Sequence, residues 1–394
     1  MPIDRSDFDA LCEADINELL EAQVPEGLQI DYKRDLYGNS DADKREVLKD
    51  VSAFANAAGG HLIIGVEERD GLPTSILGVN GVNADDIVLR LDQLARTGIE
   101  PRIQGLRVKA VPLANGANCF IVRVPRSWHP PHRISAQNSN RYWVRNSGGS
   151  HEASIEELRS LFTQGADAIQ RVYQFRDMRM ADITGGRGSR PLQSGGRFVL
   201  HIIPLAGVTS RFTIDLNRAY ELHPEFRPIG AMGMTPRFNL SGFINERGGE
   251  ANHGYTQIFR NGSIEATKAD IVRDHRGRLL ISGRSLERHL FEVLPRYLNA
   301  LRDLGVPAPL VALITLEGVK GVAYAVSDDP WPDPEPPIDD PMVFLPECYV
   351  EDYGTIDDYH RAFRPAFDAL WNASGYASAQ TFNAAGQWIG NVRR

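Results

Sequence analysis

Three carboxylates and a lysine near the start of the chain have the types and spacing to act on a phosphate. Glu26 precedes the segment Leu28 to Lys33, which contains Asp31 and Lys33, and Glu67 follows an apolar run beginning at His61. In an extended strand side chains alternate, so Leu28, Ile30 and Tyr32 go to one face and Gln29, Asp31 and Lys33 to the other. Pairing of this strand with the one at His61–Val66 brings Glu26, Asp31, Glu67 and Lys33 to one sheet edge. Such a set suits Mg²⁺ or Mn²⁺, which takes oxygen ligands, polarises a phosphate oxygen and helps generate a nucleophile, while the lysine offsets charge in the transition state. The same residues also fit ordinary surface ion pairs, worth about 0–1 kcal/mol each.

The elements that must hold these groups are legible in the periodicity. Ser6 or Asp7 can cap a first helix carrying Phe8, Leu11, Ile16, Leu19 and Leu20, which Pro25 closes off before the strand. A second helix spans Lys44 to Ala57, with Val47, Leu48, Val51, Phe54 and Ala55 on its apolar stripe. Gly59-Gly60 stops it, as residues free to adopt positive φ do. His61 to Val66 reads as a buried strand, Asp70-Gly71 as a hairpin turn, and Asp85 to Thr97 as a third helix. Strands follow near Arg107–Pro112, Cys119–Val124 and Arg141–Arg145. The result is an α/β domain over residues 1–163.

Residues 164–196 read as the end of a long helix from Ser154 to about Ile183, then a glycine-rich linker, Thr184 to Gly196. Beyond it, strands at Phe198–Ile203, Phe212–Leu216, Tyr255–Phe259, Ile264–Lys268, Leu310–Leu316 and Val322–Val326, with a long helix over Ser285–Leu304, make 197–394 an α+β domain. Asn261-Gly262 joins two of these strands in a hairpin. The acid- and proline-rich stretch Asp328–Pro341 reads as an extended surface loop.

Composition narrows the class. With 394 residues, 42% of them apolar, the chain can bury a sizeable core in two or three domains. No run of eighteen apolar residues occurs and the N-terminus is acidic, so we expect a cytoplasmic protein with no membrane partner. Cys12, Cys119 and Cys348 lie far apart, which supports neither a disulfide framework nor a zinc site. The net charge of −8 argues against a nucleic-acid partner, but its distribution reverses that impression. From Pro101 to His151 there is no Asp or Glu, while Arg102, Arg107, Lys109, Arg123, Arg126, Arg133, Arg141 and Arg145 supply positive charge. Trp128, His129, His132 and Trp143 lie among them, an interleaving on which unpaired bases can stack. Trp143 alternates with Tyr142, so one of the two belongs to the core. His61 and Cys119, in apolar strands, read as core residues rather than ligand or nucleophile.

Several ordered motifs resemble the Schlafen core, also called the AlbA-like Schlafen domain, in its prokaryotic members. They are Glu26 with four residues before Asp31-Tyr32-Lys33; Ser52-Ala53-Phe54-Ala55-Asn56 with Gly59-Gly60; Ile63-Ile64-Gly65-Val66-Glu67; and Tyr142-Trp143-Val144-Arg145 followed by Gly148-Gly149-Ser150. The resemblance covers roughly Leu19 to Phe162. It implies an α/β fold with a mixed sheet and, as in catalytically active Schlafens, a metal-dependent endoribonuclease that cuts structured RNA such as tRNA. By motif position the acids that hold Mg²⁺ or Mn²⁺ are Glu26, Asp31 and Glu67, with Glu68 an alternative for the third. The family usually has Glu second and Asp third; here they are exchanged, which keeps the charge and changes the reach by one methylene. Lys33 would assist at the scissile phosphate, and Arg126, Arg133, Arg141 and Arg145 would hold the RNA backbone. Animal Schlafens join two such lobes; one is recognisable here, so the resemblance implies a homodimer or higher homo-oligomer. Many prokaryotic relatives resemble anti-phage defence components, and the domain after Gly196 would then sense a trigger or set assembly.

Two other readings compete. One is a non-catalytic nucleic-acid-binding module in which the same carboxylates pair with Lys33 and nearby arginines. The other is an ATP-responsive regulatory protein, although no GxxxxGK[ST] occurs and Ser147-Gly148-Gly149-Ser150 lacks the following lysine.

Overall fold

A computed structural model describes residues 3, 8–136, 138–210, 212–247, 252–325, 336–373 and 375–390. The chain divides into two compact units, Met1–Asp167 and Ala168–Arg394. The division falls inside the long helix, upstream of the glycine-rich stretch Thr184–Gly196.

In chain order the first unit contains α1 (Glu13–Glu21), β1 (Ile30–Lys33), α2 (Asp41–Ala55), β2 (Gly60–Ile64), β3 (Val66–Arg69), β4 (Leu72–Ile76), α3 (Ala84–Gly98), β5 (Ile99–Glu100), β6 (Arg107–Pro112), β7 (Asn118–Val124), β8 (Arg133–Ile134), β9 (Trp143–Asn146) and β10 (Gly149–Glu152). The helix α4 (Ile155–Thr184) follows. Its central sheet has the order β1-β2-β7-β6. The β1–β2 pair is parallel, with Asp31 opposite Leu62 and Lys33 opposite Ile64, and the remaining pairs are antiparallel. A parallel pair needs a crossover, and α2 supplies it. Ser40 starts α2 as a capping residue: its hydroxyl accepts the Asp43 N–H at 3.2 Å, and Asp43 accepts the Ser40 N–H at 3.1 Å. One sheet face packs on α2 and α3 through Val47, Val51, Phe54, Leu62, Ile64 and Phe120. The other packs Ile30, Tyr32, Ile63 and Ile121 against Phe8, Leu11, Ile16 and Leu19.

Two local departures from the sequence reading matter. The first helix begins at Glu13 rather than near Phe8, because Cys12 is its N-cap and donates its N–H to Asp15 at 2.7 Å. The expected caps Ser6 and Asp7 lie outside the described residues. The apolar run His61–Val66 is not one strand. Gly65 adopts φ +102°, a conformation that favours glycine, so β2 ends at Ile64 and the chain leaves the sheet. Glu67 therefore sits on a separate ribbon, β3–β4, turned at Asp70-Gly71.

The second unit is rich in sheet. After α4 come β11 (Arg197–Pro204), α5 (Leu205–Thr209), α6 (Leu216–Glu221), β12 (Thr235–Asn239), β13 (Gly242–Glu246), β14 (Tyr255–Phe259), β15 (Ile264–Lys268), β16 (Val272–His275), β17 (Arg278–Ser282), α7 (Gly283–Asp303), β18 (Leu310–Glu317), β19 (Ala323–Ala325), β20 (Met342–Phe344), β21 (Cys348–Val350) and α8 (Ile356–Asn372). The large sheet runs β12-β13-β14-β15-β11-β18-β20, with β21 also on β18. Its core brings Phe198, Leu200 and Ile202 against Leu290, Leu294, Phe363 and Trp371. The β14–β15 hairpin turns at Asn261-Gly262, as its sequence predicts. The expected strand at Phe212–Leu216 is absent: Asp215 accepts the Asn217 N–H at 2.8 Å and starts α6 at Leu216. Of the acidic stretch, Asp328 to Glu335 lie outside the described residues, and Ile338 is buried. Among the described residues no helix is long and apolar enough to cross a membrane.

Candidate functional site

The edge strand β1 and the turn before it carry the site. Glu26 stands at the turn, where its carboxylate accepts the Tyr32 N–H at 2.7 Å. Asp31 is only 4% exposed, and cations hold both its oxygens. Lys33 Nζ donates to Oδ1 at 2.6 Å and Arg145 Nη1 to Oδ2 at 2.6 Å. The period-two reading sends Asp31 and Lys33 to the same face, and they do meet there.

The three groups perturb one another. Burial, aided by a hydrogen bond that the protonated Glu26 gives to Asp31 and by the Asp31 charge, pushes the Glu26 carboxyl up to about 7 against the Tyr32 N–H bond that opposes it. Burial also works to raise Asp31, but Lys33 and then Arg145 outweigh it and hold this carboxyl below its usual range. Lys33 would be lowered by burial; the surrounding Asp50, Asp31 and Glu26 reverse that and raise it. Two neighbouring carboxyls pushed in opposite directions beside a lysine are what acid–base division of labour requires.

Glu67, on the ribbon whose Gly71 carbonyl accepts the Glu26 N–H at 2.7 Å, has partners of its own. Its Oε2 accepts the Ser75 hydroxyl at 3.1 Å and its Oε1 lies 3.5 Å from Arg34 Nη1. Glu68 accepts the Gly71 N–H at 2.8 Å across the hairpin turn. Among the described residues no group of three His, Cys, Asp or Glu is placed to hold a metal ion. The partners agree, since Asp31 is already neutralised by Lys33 and Arg145 and Glu67 is engaged by Ser75 and Arg34, so the residues as arranged do not fit a three-carboxylate ion.

The four arginines expected on a nucleic-acid face separate. Arg145 is corrected from a surface group to a buried strut. It is 7% exposed, with Nε donating to Gly27 O at 2.6 Å, Nη2 to Ile30 O at 3.2 Å, and the guanidinium over the Phe54 ring at 4.5 Å. A guanidinium so engaged has no edge left for a phosphate. Arg133 pairs with Glu100 at 2.7 Å and Arg141 with Glu152 at 2.9 Å, both near the surface. Arg126 lies 4.9 Å from the Trp128 ring, and its Nε is buried without a hydrogen-bond partner among the described residues. Trp128 is itself buried; of the pair at the strand, Trp143 packs on the core and Tyr142 meets Phe162 edge-on.

Other residues around the site have structural parts. His61 is fully buried and accepts from Arg123 Nε at 3.0 Å, and burial followed by the Arg123 charge brings it down to about 3, so it is neutral. Burial pushes the Cys119 thiol up to about 12. Asn56, at the C-cap of α2, donates to the carbonyls of His132 and Trp143, each at 2.8 Å, and accepts the His132 N–H at 2.7 Å. Gly59-Gly60 allow a close approach: a Cβ on Gly59 would meet Arg126 N at 2.4 Å, and one on Gly60 would meet Gln29 O at 2.4 Å.

Sequence reasoning missed Asp50 and Tyr37. Asp50 is 2% exposed, and Tyr37 donates its hydroxyl to Asp50 Oδ2 at 2.7 Å. A signal existed, because Asp50 is three residues after Val47 and four before Phe54, which places an acid on the inward stripe of α2.

The sequence profile of the family described as Schlafen, AlbA_2 matches residues 26–154. Two solved structures are similar to parts of the chain. One is the solution structure of the N-terminal domain of a RecG-related protein from Nitrosomonas europaea, at 22% identity and a TM-score of 0.27, covering 37% of this chain and 94% of that one. The other is the crystal structure of the DIP2311 protein from Corynebacterium diphtheriae, at 16% identity and a TM-score of 0.26, covering 58% of this chain and 42% of that one. No curated protein matches the chain.

Proposed function

We propose, from the premise that residues 26–154 form a Schlafen/AlbA-like domain of nucleic-acid-related function, that this unit cuts structured RNA such as tRNA at a site built on Glu26, Asp31 and Lys33. The observation that carries the reading is a lysine ammonium, its side chain 32% exposed, fixed by a buried aspartate at 2.6 Å with a second carboxyl alongside. In this scheme Lys33 meets a non-bridging oxygen of the scissile phosphate and stabilises the charge that gathers there. Glu26, near neutrality, takes the proton of the attacking hydroxyl as the new P–O bond forms and the bond to the leaving oxygen breaks. Asp31 touches Lys33 and holds it; Arg145 holds Asp31.

Mg²⁺ or Mn²⁺ enters this proposal through the family resemblance. Of the three expected ligands, Asp31 has both oxygens on cations and Glu67 stands on another ribbon, so no step here is routed through an ion. The test is incubation of the pure protein with total tRNA, with and without EDTA. We expect cleavage, and expect Glu26→Gln and Lys33→Met each to lower its rate by about 100-fold or more while RNA binding stays within a few-fold. Cleavage at the wild-type rate in both variants would overturn the site, and the EDTA arm reports on the ion.

The internal neutralisation of Asp31 by Lys33 and Arg145 favours a second reading, a module that binds nucleic acid without cutting it. Binding with a steep salt dependence and no cleavage in either arm selects that reading. The wider proposal adds a homodimer or larger assembly that supplies a second lobe, control by the second unit, and a part in anti-phage defence. Light scattering of the active species tests the first of these, and a monomer would remove it.

A further inference from the structure

Asp50 is a buried acid to which the cleavage scheme gives no task. Its Oδ2 accepts the Tyr37 hydroxyl at 2.7 Å and lies 4.0 Å from Lys33 Nζ, and its Oδ1 lies 3.8 Å from Lys49 Nζ. Lys49 is also engaged by Glu46 and sits over the Trp143 ring. A carboxylate on the inward stripe of a helix loses water and is tolerated only where donors and opposite charge meet it. An apolar residue would serve packing better at this position. Asp50 is within α2, past its N-terminal turn and before its C-cap, so it does not satisfy a free helix end.

What Asp50 does face is the Lys33 ammonium. Asp31 Oδ1 stands 2.6 Å from that nitrogen and Asp50 Oδ2 4.0 Å from it, so two carboxylates bracket it. We propose that Asp50, oriented by Tyr37, is a positioning residue that holds the Lys33 ammonium in register for the scissile phosphate. This rests on the reading of Lys33 as the group that meets the phosphate. A lysine is a flexible stem carrying a point charge with three donors. One donor goes to Asp31, the charge of Asp50 restrains the swing of the head, and the remaining donors of this half-buried side chain are left for a phosphate oxygen. Preorganisation of this kind acts in the transition state more than in binding. Tyr37 keeps its proton, since burial and the Asp50 charge both raise its pKa, so it remains a donor that fixes the carboxylate.

The experiment is a double-mutant cycle on the full chain. Asp50→Asn keeps the shape of the side chain and an oxygen for the Tyr37 hydroxyl while removing the charge. We expect kcat for RNA cleavage to fall about 10- to 100-fold with KM and RNA Kd unchanged within about 2-fold. Lys33→Ala should cost more, and adding Asp50→Asn to it should cost no further factor above about 2. Tyr37→Phe, a gentler change should Asp50→Asn not fold, is expected to lose about 3- to 10-fold in kcat, again only when Lys33 is present. Wild-type kcat in Asp50→Asn, or a loss that multiplies fully with that of Lys33→Ala, would overturn the proposal. If the wild-type protein cuts no RNA, the cleavage reading fails by itself and the cycle is read in urea midpoints instead. Non-additive shifts then support the bracket, and additive shifts overturn it.

Discussion

A carboxylate between two cations and a carboxyl beside it behave in opposite ways, and each gives a measurable consequence. Arg145 spends its donors on Asp31 and on the carbonyls of Gly27 and Ile30, so removing it leaves the buried Asp31 carboxylate with Lys33 alone and takes a donor from each carbonyl. Arg145→Ala should therefore destabilise the protein by about 3–5 kcal/mol in urea unfolding. Arg145→Lys should recover little of this, because an ammonium lacks the planar fork; a loss under about 1 kcal/mol for the alanine variant would contradict the strut. Glu26 has a folded pKa of about 7 against an ordinary 4.5, so between these values the folded state binds more proton than the unfolded. The stability that this brings is full below about pH 4.5 and is lost as the pH rises through about 7. Glu26→Gln removes that dependence. Relative to wild type, the variant should gain about 1 kcal/mol between pH 4.5 and pH 8, a figure discounted for the half-buried carboxyl. Urea midpoints at the two pH values check it, and an unchanged difference would show that Glu26 titrates as an ordinary glutamate. If Glu26 is the base of the cleavage step, the same titration should appear as a rise of kcat/KM through about pH 7 that the variant lacks.

Between elements, Asn56 is the principal tie of the site's surroundings. Its amide joins the end of α2 to the backbone of His132, before β8, and to that of Trp143 in β9, the strand that delivers Arg145 to Asp31. Asn56→Ala strips three hydrogen bonds from buried or part-buried backbone groups, and we expect a loss of about 3 kcal/mol with faster proteolysis of the 126–142 segment. Asn56→Asp should not rescue it, since a carboxylate cannot donate to two carbonyls; wild-type protease resistance in the alanine variant would remove the tie. These elements show what the sequence made legible. Tyr255–Phe259, Ile264–Lys268 and Arg107–Pro112 follow from alternation and turn residues, and their strands begin and end where the pattern does. The meeting of Asp31 with Lys33 follows from a spacing of two. Pairings at long separation were not legible. Arg145 lies 114 residues from Asp31, and nothing local distinguishes it from the arginines of the same acid-free stretch. The break at Gly65 was also hidden, because an apolar run with one glycine reads equally as one buried strand or as a strand and a turn. That break puts Glu67 on a ribbon of its own, where its carboxylate meets Ser75 and Arg34.

At the scale of the whole molecule, each compact unit closes its own core, which predicts separable unfolding. The first unit packs its sheet between α2–α3 and the N-terminal helix; the second packs β11 and its neighbours against α7 and α8. The second also has a buried fastener. Glu287 on α7 is fully buried and faces four donors: Trp371 Nε1 at 2.7 Å and the Tyr324 hydroxyl at 3.1 Å on Oε1, the Thr381 hydroxyl at 2.6 Å and Trp388 Nε1 at 2.8 Å on Oε2. Through it, α8 and the segment beyond are held to α7. Burial pushes this carboxyl up and the four hydrogen bonds oppose the shift. Glu287→Ala leaves two indole N–H groups and two hydroxyls without their acceptor, a loss of about 3 kcal/mol or more. Calorimetry of the full chain should resolve two transitions, because a chain with two cores need not unfold in one step. Arg145→Ala should move one of them and Glu287→Ala the other. Tryptophan fluorescence assigns them, with Trp128 and Trp143 reporting on the first unit and Trp371 and Trp388 on the second. A single transition shifted equally by either substitution would mean that the two cores melt as one cooperative body, and that a variant at the site cannot be interpreted without the second unit.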